Sequence, residues 1–269
     1  MFLTRLISGI VLVAAAVILL VLGGPVLAAG LFVISVIGMH ELYRAVGNEK
    51  NGPNLLTGAA YAGAAALYLL MYLRYDRIMI AVISACLILI LAVYVFTWPA
   101  YNSEKVMAAM FGLVYAALSL SFIYRIRMME NGQFNVWLVF ACSWGSDTFA
   151  YCAGMLLGRH KMAPKLSPKK SVEGAVGGVI GAAVLGMVLS FVTYKMTAAP
   201  LRLWEYALIC AVGALVSMVG DLAASAIKRD HDIKDYGKLI PGHGGILDRF
   251  DSVIFTAPAI WLLAVLMIG

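Results

Sequence analysis

Asp221, Ser225 and Lys228 stand four and three residues apart at the end of a long apolar run, with Arg229 next in sequence. If that run is helical, the three share one face, and an acid, a hydroxyl and two cations point into one volume. Headgroup anchoring at a helix end accounts for the two cations. It does not account for an aspartate one turn deeper, where a lone carboxylate is costly. The chain then turns back through Pro241-Gly242-His243-Gly244-Gly245, where glycines let a ligand come close to the main chain. Asp248-Arg249-Phe250-Asp251 follows. These aspartates fall where the next helix should begin, a position that stabilises anions and favours phosphate. Asp251 is the expected cap of that helix, which leaves Asp248 for metal. Residues 225–251 hold five of the chain's 14 acidic residues and five of its 20 basic ones. Both signs of charge packed into one polar stretch fit a metal site bordered by phosphate-binding cations at a bilayer surface.

A second polar stretch covers 158–171. Arg159, Lys161 and Lys165 are equally well read as membrane-surface anchors. Ser167-Pro168-Lys169-Lys170-Ser171 is more pointed, because it sets hydroxyls and cations beside a helix start. Asp147 lies in an apolar segment about ten residues before this stretch, and a carboxylate there needs a partner or a role. The expected set is therefore Asp147, Asp221, Ser225, Lys228, Arg229 and Asp248 for catalysis. Ser167, Lys169, Lys170, Ser171, Lys234, His243, Gly244, Gly245 and Arg249 are expected to contact substrate, and Asp221, Asp248 and Asp251 to bind metal. His243, among glycines, is expected to orient the loop or touch phosphate. His231 has no second histidine or cysteine near it, so zinc is not expected. His40, Glu41 and Arg44 read as an interfacial anchor. Cys86, Cys142, Cys152 and Cys210 stand singly in apolar sequence and read as small buried hydrophobes.

Composition dictates what carries these residues. The chain of 269 residues is 63% hydrophobic and 13% charged, about half the charge of a soluble domain. This is the pattern of an all-α integral membrane protein. A ruler of about 20 apolar residues per crossing gives about nine transmembrane helices, near 6–23, 25–42, 55–73, 78–98, 106–124, 134–157, 172–194, 203–224 and 252–268. The first is read as an uncleaved span, since it is long for a signal peptide and further spans follow at once. With the N-terminus cytoplasmic, 14 of the 20 basic residues fall on inner segments, as the positive-inside rule requires. Topology explains the net charge of +6 better than nucleic acid does, and no nucleic-acid partner is expected. Residues 1–133 are read as a scaffold or lipid-access region. Residues 134–269, with cytoplasmic loops 158–171 and 225–251, are read as the catalytic region. Gly174, Gly177, Gly178, Gly181 and Gly186 have small-residue spacing and are expected to pack against a neighbouring helix of the same chain.

The stretch from Ser225 to Asp251 resembles the C-terminal motif of the integral membrane phosphatidate cytidylyltransferases, also called CDP-diglyceride synthetases. That motif runs S-x-hydrophobic-K-R-x4-K-D-x-small-x2-hydrophobic-P-x-H-G-G-hydrophobic-x-D-R-hydrophobic-D, and every specified position is matched. Similarity extends upstream to Gly220-Asp221-Leu222, to Ser167–Ser171 with Glu173-Gly174, and to Asp147 with Ala150-Tyr151 and Gly154. The N-terminal half is similar in hydropathy only. Ala224 departs from the pattern, since many members carry an acid there. The resemblance implies transfer of CMP from CTP to phosphatidate with Mg²⁺, giving CDP-diacylglycerol and pyrophosphate in a multi-pass protein of the cell membrane. It implies two Mg²⁺ ions on Asp221 and Asp248, helped by Lys169, Lys170, Lys228 and Arg249, and leaves K⁺ and a homodimer open. A CTP-dependent enzyme acting on another membrane lipid is compatible with the same polar motif. A secondary transporter would need charges near the midplane of several spans, and only Asp147 is so placed.

Overall fold

A computed structural model describes residues 2–49 and 52–268. The described residues are mostly helical, with one two-stranded sheet among them. Helices α1 (Phe2–Leu22), α2 (Gly24–Ala45), α3 (Leu55–Tyr72) and α4 (Met79–Phe96) come first. Next, α5 (Ser103–Gly112), a π-helical turn (Leu113–Leu118) and α6 (Ser119–Arg127) run on as one rod. Then come the short α7 (Gly132–Asn135) and α8 (Trp137–Phe140), a second π turn (Ala141–Gly145) and α9 (Ser146–Leu157). Strands β1 (Lys161–Ala163) and β2 (Ser167–Ser171) lead into α10 (Val172–Met196), α11 (Leu203–Asp230) and α12 (Leu247–Met267).

All nine expected segments are helical, yet nine crossings are not established. Among the described residues, seven helices are long and apolar enough to span a membrane: α2, α3, α4, the α5–α6 rod, α10, α11 and α12. The apolar part of α1, Ile7–Leu22, is shorter, and the sixth segment is assembled from three helical pieces. Two further expectations are corrected. Residues 158–171 form an antiparallel hairpin pairing Lys161 with Ser171 and Ala163 with Ser167. The stretch 225–251 is irregular only between Asp230 and Leu247, because α11 and α12 both extend into it.

The chain divides into two compact units. One comprises the residues up to Ser121 together with Ile233–Arg249. Its core is built by Leu27, Leu31, Met39, Leu42, Leu56, Leu67, Met71, Ile90 and Leu113. Asn54 starts α3 by accepting from the N–H groups of Leu56 and Thr57, while Thr57 returns a bond to the Asn54 N–H. Such a capping box contributes about 1 kcal/mol. In a bilayer a π turn must have its displaced carbonyls satisfied from within. Here the Tyr68 hydroxyl donates to Ala117 O (3.2 Å) and the Ser119 hydroxyl to Val114 O (3.1 Å). The α4 helix turns Ile80, Ile88, Val95 and Phe96 outward, as a lipid-facing helix should.

The second unit comprises Phe122–Asp232 and the residues from Phe250 on. Its frame is α9, α10 and α11. A Cβ on Gly177 would stand 2.3 Å from Ala153 Cβ of α9, and one on Gly174 would stand 2.8 Å from Ala150 O. On the other side of α10, a Cβ on Gly186 would meet Tyr206 O of α11 at 2.4 Å. The glycine run therefore packs closely, as its spacing predicts, and its neighbours are helices of the same chain. Only residues without a side chain allow backbones this close.

Candidate active site

In the second unit a cavity of about 510 Å³ is lined by Asp147, Ser167, Lys169, Lys170, Ser171 and Asp221, with Tyr151, Met155, Met162 and Met218 as apolar wall. Local structure brings these residues there. The π turn at Ala141–Gly145 resets the helix phase just before Asp147, and such bulges recur at functional sites. Strand β2 ends at Ser171, whose hydroxyl caps α10 by accepting from the Gly174 N–H (3.1 Å). Lys170 and Asp221 form an ion pair, both side chains about three-quarters buried. Glu173, in the first turn of α10, accepts from the N–H groups of Arg159 (3.0 Å) and His160 (3.2 Å) and from His160 Nδ1 (2.6 Å). That carboxylate clamps the start of the hairpin to the helix the hairpin leads into.

Asp221, Ser225 and Lys228 lie on one continuous helix, so the shared face expected from their spacing is present. Ser225, Lys228 and Arg229 follow toward the C-terminus of α11 and do not line the cavity. Asp251 is corrected as a cap. Helix α12 begins at Leu247, which puts Asp251 one turn inside it, where it accepts from the Ser252 N–H (2.8 Å). It is buried.

In the first unit, Ile233–Arg249 carries Lys234, His243, Gly244, Gly245, Asp248 and Arg249. The Ile240 N–H donates to Gly244 O (2.8 Å) and the His243 N–H to Ile240 O (2.9 Å), closing a tight turn. Gly242 and Gly244 stand at φ of 78° and 88°, where a side chain is strained. The carboxylate of Asp248, in the first turn of α12, accepts from the N–H groups of Tyr236 (2.8 Å) and Gly245 (3.0 Å). Asp248 is thus buried and tied into the loop. Two residues outside the expected set hold this segment. Ser8 of α1 donates to Pro241 O (3.0 Å) and lies 2.8 Å from His243 Nδ1. Glu41 of α2, expected to be a surface anchor, is buried and accepts from the N–H groups of Ile246 (3.0 Å) and Leu247 (2.8 Å). The only sequence signal for Glu41 was an acid closing an apolar helix.

The profile of the Cytidylyltransferase family matches residues 3–267. The chain belongs to this family. Its similarity to individual relatives also runs end to end. It is 30% identical to a protein named phosphatidate cytidylyltransferase from Synechocystis, over 98% of this chain and 97% of the relative. It is 29% identical to one from Staphylococcus haemolyticus, over 98% and 99%. A Rickettsia bellii protein of the same name is 33% identical over 62% of this chain and 73% of its own. The N-terminal half, similar to the family only in hydropathy when its residues are read alone, therefore belongs to the same alignment. The cytidylyltransferases are nucleotidyltransferases, and seven long apolar helices make this member a multi-pass membrane protein.

Cytidylyl transfer brings a triphosphate to the site, and the donors that suit its counter-ion are hard oxygens. Among the described residues no three acidic, histidine or cysteine side chains cluster into a closed metal cage. Mg²⁺ does not require one, since it is usually held by one or two carboxylates plus substrate phosphates and water. Asp221, beside Lys170 in the cavity, and Asp248, in the first turn of α12 beside the glycine loop, are carboxylates with the chemistry for that task.

Proposed function

We propose that the protein catalyses CTP + phosphatidate → CDP-diacylglycerol + pyrophosphate at the cytoplasmic face of the cell membrane. The observation that carries this reading is the end-to-end match with relatives bearing the name of that activity. The physical problem of the reaction is charge. CTP brings about four negative charges and phosphatidate nearly two at neutral pH, as for other phosphate monoesters. Lys169, Lys170, Lys228 and Arg249 offset that repulsion. Asp221 and Asp248 would hold Mg²⁺, one or two ions, which supply further charge neutralisation when bound; Asp251 is the third proposed metal carboxylate. Ser225 and Arg229 join Lys228 along α11 for the lipid phosphate. Ser167, Ser171, Lys234, His243, Gly244 and Gly245 contact substrate, and Asp147 orients groups at the cavity. K⁺ beside Mg²⁺ and pairing of two copies belong to the same proposal.

An ionised phosphatidate oxygen attacks the α-phosphorus of CTP in line. A new P–O bond forms there as the bond to the β-phosphate bridging oxygen breaks, and pyrophosphate leaves with that electron pair. The attacking oxygen is already largely ionised, so no strong general base is needed. Lipid enters sideways from the inner leaflet and nucleotide from the cytosol. In this division residues 134–269 carry the chemistry and residues 1–133 serve as scaffold or lipid access.

The test is direct: purified protein with Mg²⁺, CTP and phosphatidate should release pyrophosphate and form a CMP-bearing lipid in equal amounts. Omitting lipid should stop both. Equal turnover with ATP, or no CMP-lipid with phosphatidate while another membrane lipid is converted, would overturn the substrate assignment.

A further inference from the structure

We infer that Glu41, in the N-terminal half of the chain, is a positioning residue for the glycine loop and for the Asp248 carboxylate. The inference rests on the proposed function for what Asp248 does, but not for how it is held. Glu41 closes helix α2, and its carboxylate reaches 205 residues along the sequence to take the N–H groups of Ile246 and Leu247. These are among the unpaired donors at the start of α12, so α2 supplies the cap that the sequence of α12 does not. The positive end of α12 favours the charge. Asp248 takes the N–H groups of Tyr236 and Gly245. Two carboxylates thus divide four main-chain donors of one short segment between them, and the adjoining donors at 245 and 246 tie the placement of one to that of the other.

The fit is tight on two sides. A Cβ on Gly237 would stand 2.3 Å from Glu41 Oε1, and one on Gly245 would stand 2.4 Å from both carboxylate oxygens. The glycines leave room for Glu41 rather than for bending, since neither has a positive φ. The end of α2 is itself braced. His40 Nδ1 lies 2.5 Å from Glu49, which is buried and also accepts from the Tyr61 hydroxyl (2.9 Å). Glu41 is therefore set by a rigid helix end and transmits that placement to the loop.

The experiment compares Glu41→Gln, Glu41→Ala, Gly237→Ala and the Glu41→Ala/Gly237→Ala double variant, each purified in detergent. Loss of a group that orients a metal carboxylate typically costs about 10- to 100-fold in activity or metal affinity. Glu41→Ala and Gly237→Ala should each lower turnover by about that factor and raise the Mg²⁺ concentration giving half-maximal rate. Glu41→Gln keeps one acceptor and should fall between Glu41→Ala and the unmodified protein. The double variant should be no worse than Glu41→Ala, because the added methyl has nothing left to displace. Hydrogen exchange without substrate should rise at 236 and 245–247 in both single alanine variants. A purely structural Glu41 would leave the Mg²⁺ requirement unmoved at any thermal midpoint. That result, multiplicative losses in the double variant, or unchanged exchange would overturn the inference. If the unmodified protein formed no CMP-lipid but exchange rose as stated, the functional reading would fall and the positioning role would stand.

Discussion

At the scale of single residues, Asp221 and Lys170 make opposite demands on the same contact. As partners they neutralise each other in a cavity where neither is well solvated. Under the proposed function, the lysine would bind phosphate and the carboxylate metal once nucleotide is present. The two should therefore fail differently. Asp221→Asn and Asp248→Asn would remove the two proposed metal ligands and should each lower turnover by more than about 100-fold, since even outer partners of a metal cost about 10- to 100-fold. Lys170→Gln removes a charge-assisted bond of roughly 1.5–3 kcal/mol, and should appear mainly as a rise of at least about tenfold in the KM for CTP. Steady-state kinetics on variants shown to insert by membrane fractionation separates the two. Near-normal turnover of either aspartate variant would remove it as a metal ligand. His243 carries a finer constraint. When the Ser8 hydroxyl donates to Pro241 O, the imidazole must donate from Nδ1 to Ser8, so a neutral ring offers only an acceptor at Nε2.

At the scale of elements, the small face of α10 governs how closely α9 and α11 approach. Gly186→Ala sets two effects against each other. Alanine favours a helix over glycine by about 1 kcal/mol, but its Cβ would meet the main-chain carbonyl of Tyr206 at 2.4 Å, and a backbone atom cannot rotate away. Overpacking of this kind costs about 1–3 kcal/mol, so the thermal midpoint in detergent should fall; a rise would mean that the helices part at little cost. This ridge was legible in sequence because small-residue spacing is local. So was the shared face of Asp221, Ser225 and Lys228, which needed only that α11 stay helical. The start of α12 at Leu247 is not legible in sequence, because the charges at 248–251 read equally well as the end of a loop or as the acids a helix start welcomes. The role of Glu41 was hidden for a different reason. Its partners are main-chain N–H groups, which every residue carries, and no side-chain pattern marks which of them a distant helix must cap. The hairpin of β1 and β2 was hidden among lysines and prolines that read as an anchor.

At the scale of the molecule, orientation turns on the weakest of the apolar segments. Residues 132–157 are broken between α7 and α8 and change phase at the second π turn, and they are not among the helices both long and apolar enough to span. If they cross, 14 of the 20 basic residues lie on the cytoplasmic side. If they do not, every later connection changes sides, and ten lysines and arginines between Arg159 and Arg249 move outward. Basic residues near an anionic cytoplasmic leaflet contribute about 1 kcal/mol each, so the alternative is strongly disfavoured. Three exposed positions report the outcome. In a background with the exposed Cys152 replaced by serine, Ser103→Cys and Lys238→Cys should react with a membrane-impermeant maleimide only in inverted vesicles. Ala198→Cys should react only in intact cells. Opposite sidedness of Ser103→Cys and Lys238→Cys would mean that residues 132–157 dip into the membrane without crossing it. The glycine loop would then face away from the cytosol and its CTP, and the proposed reaction could not proceed there.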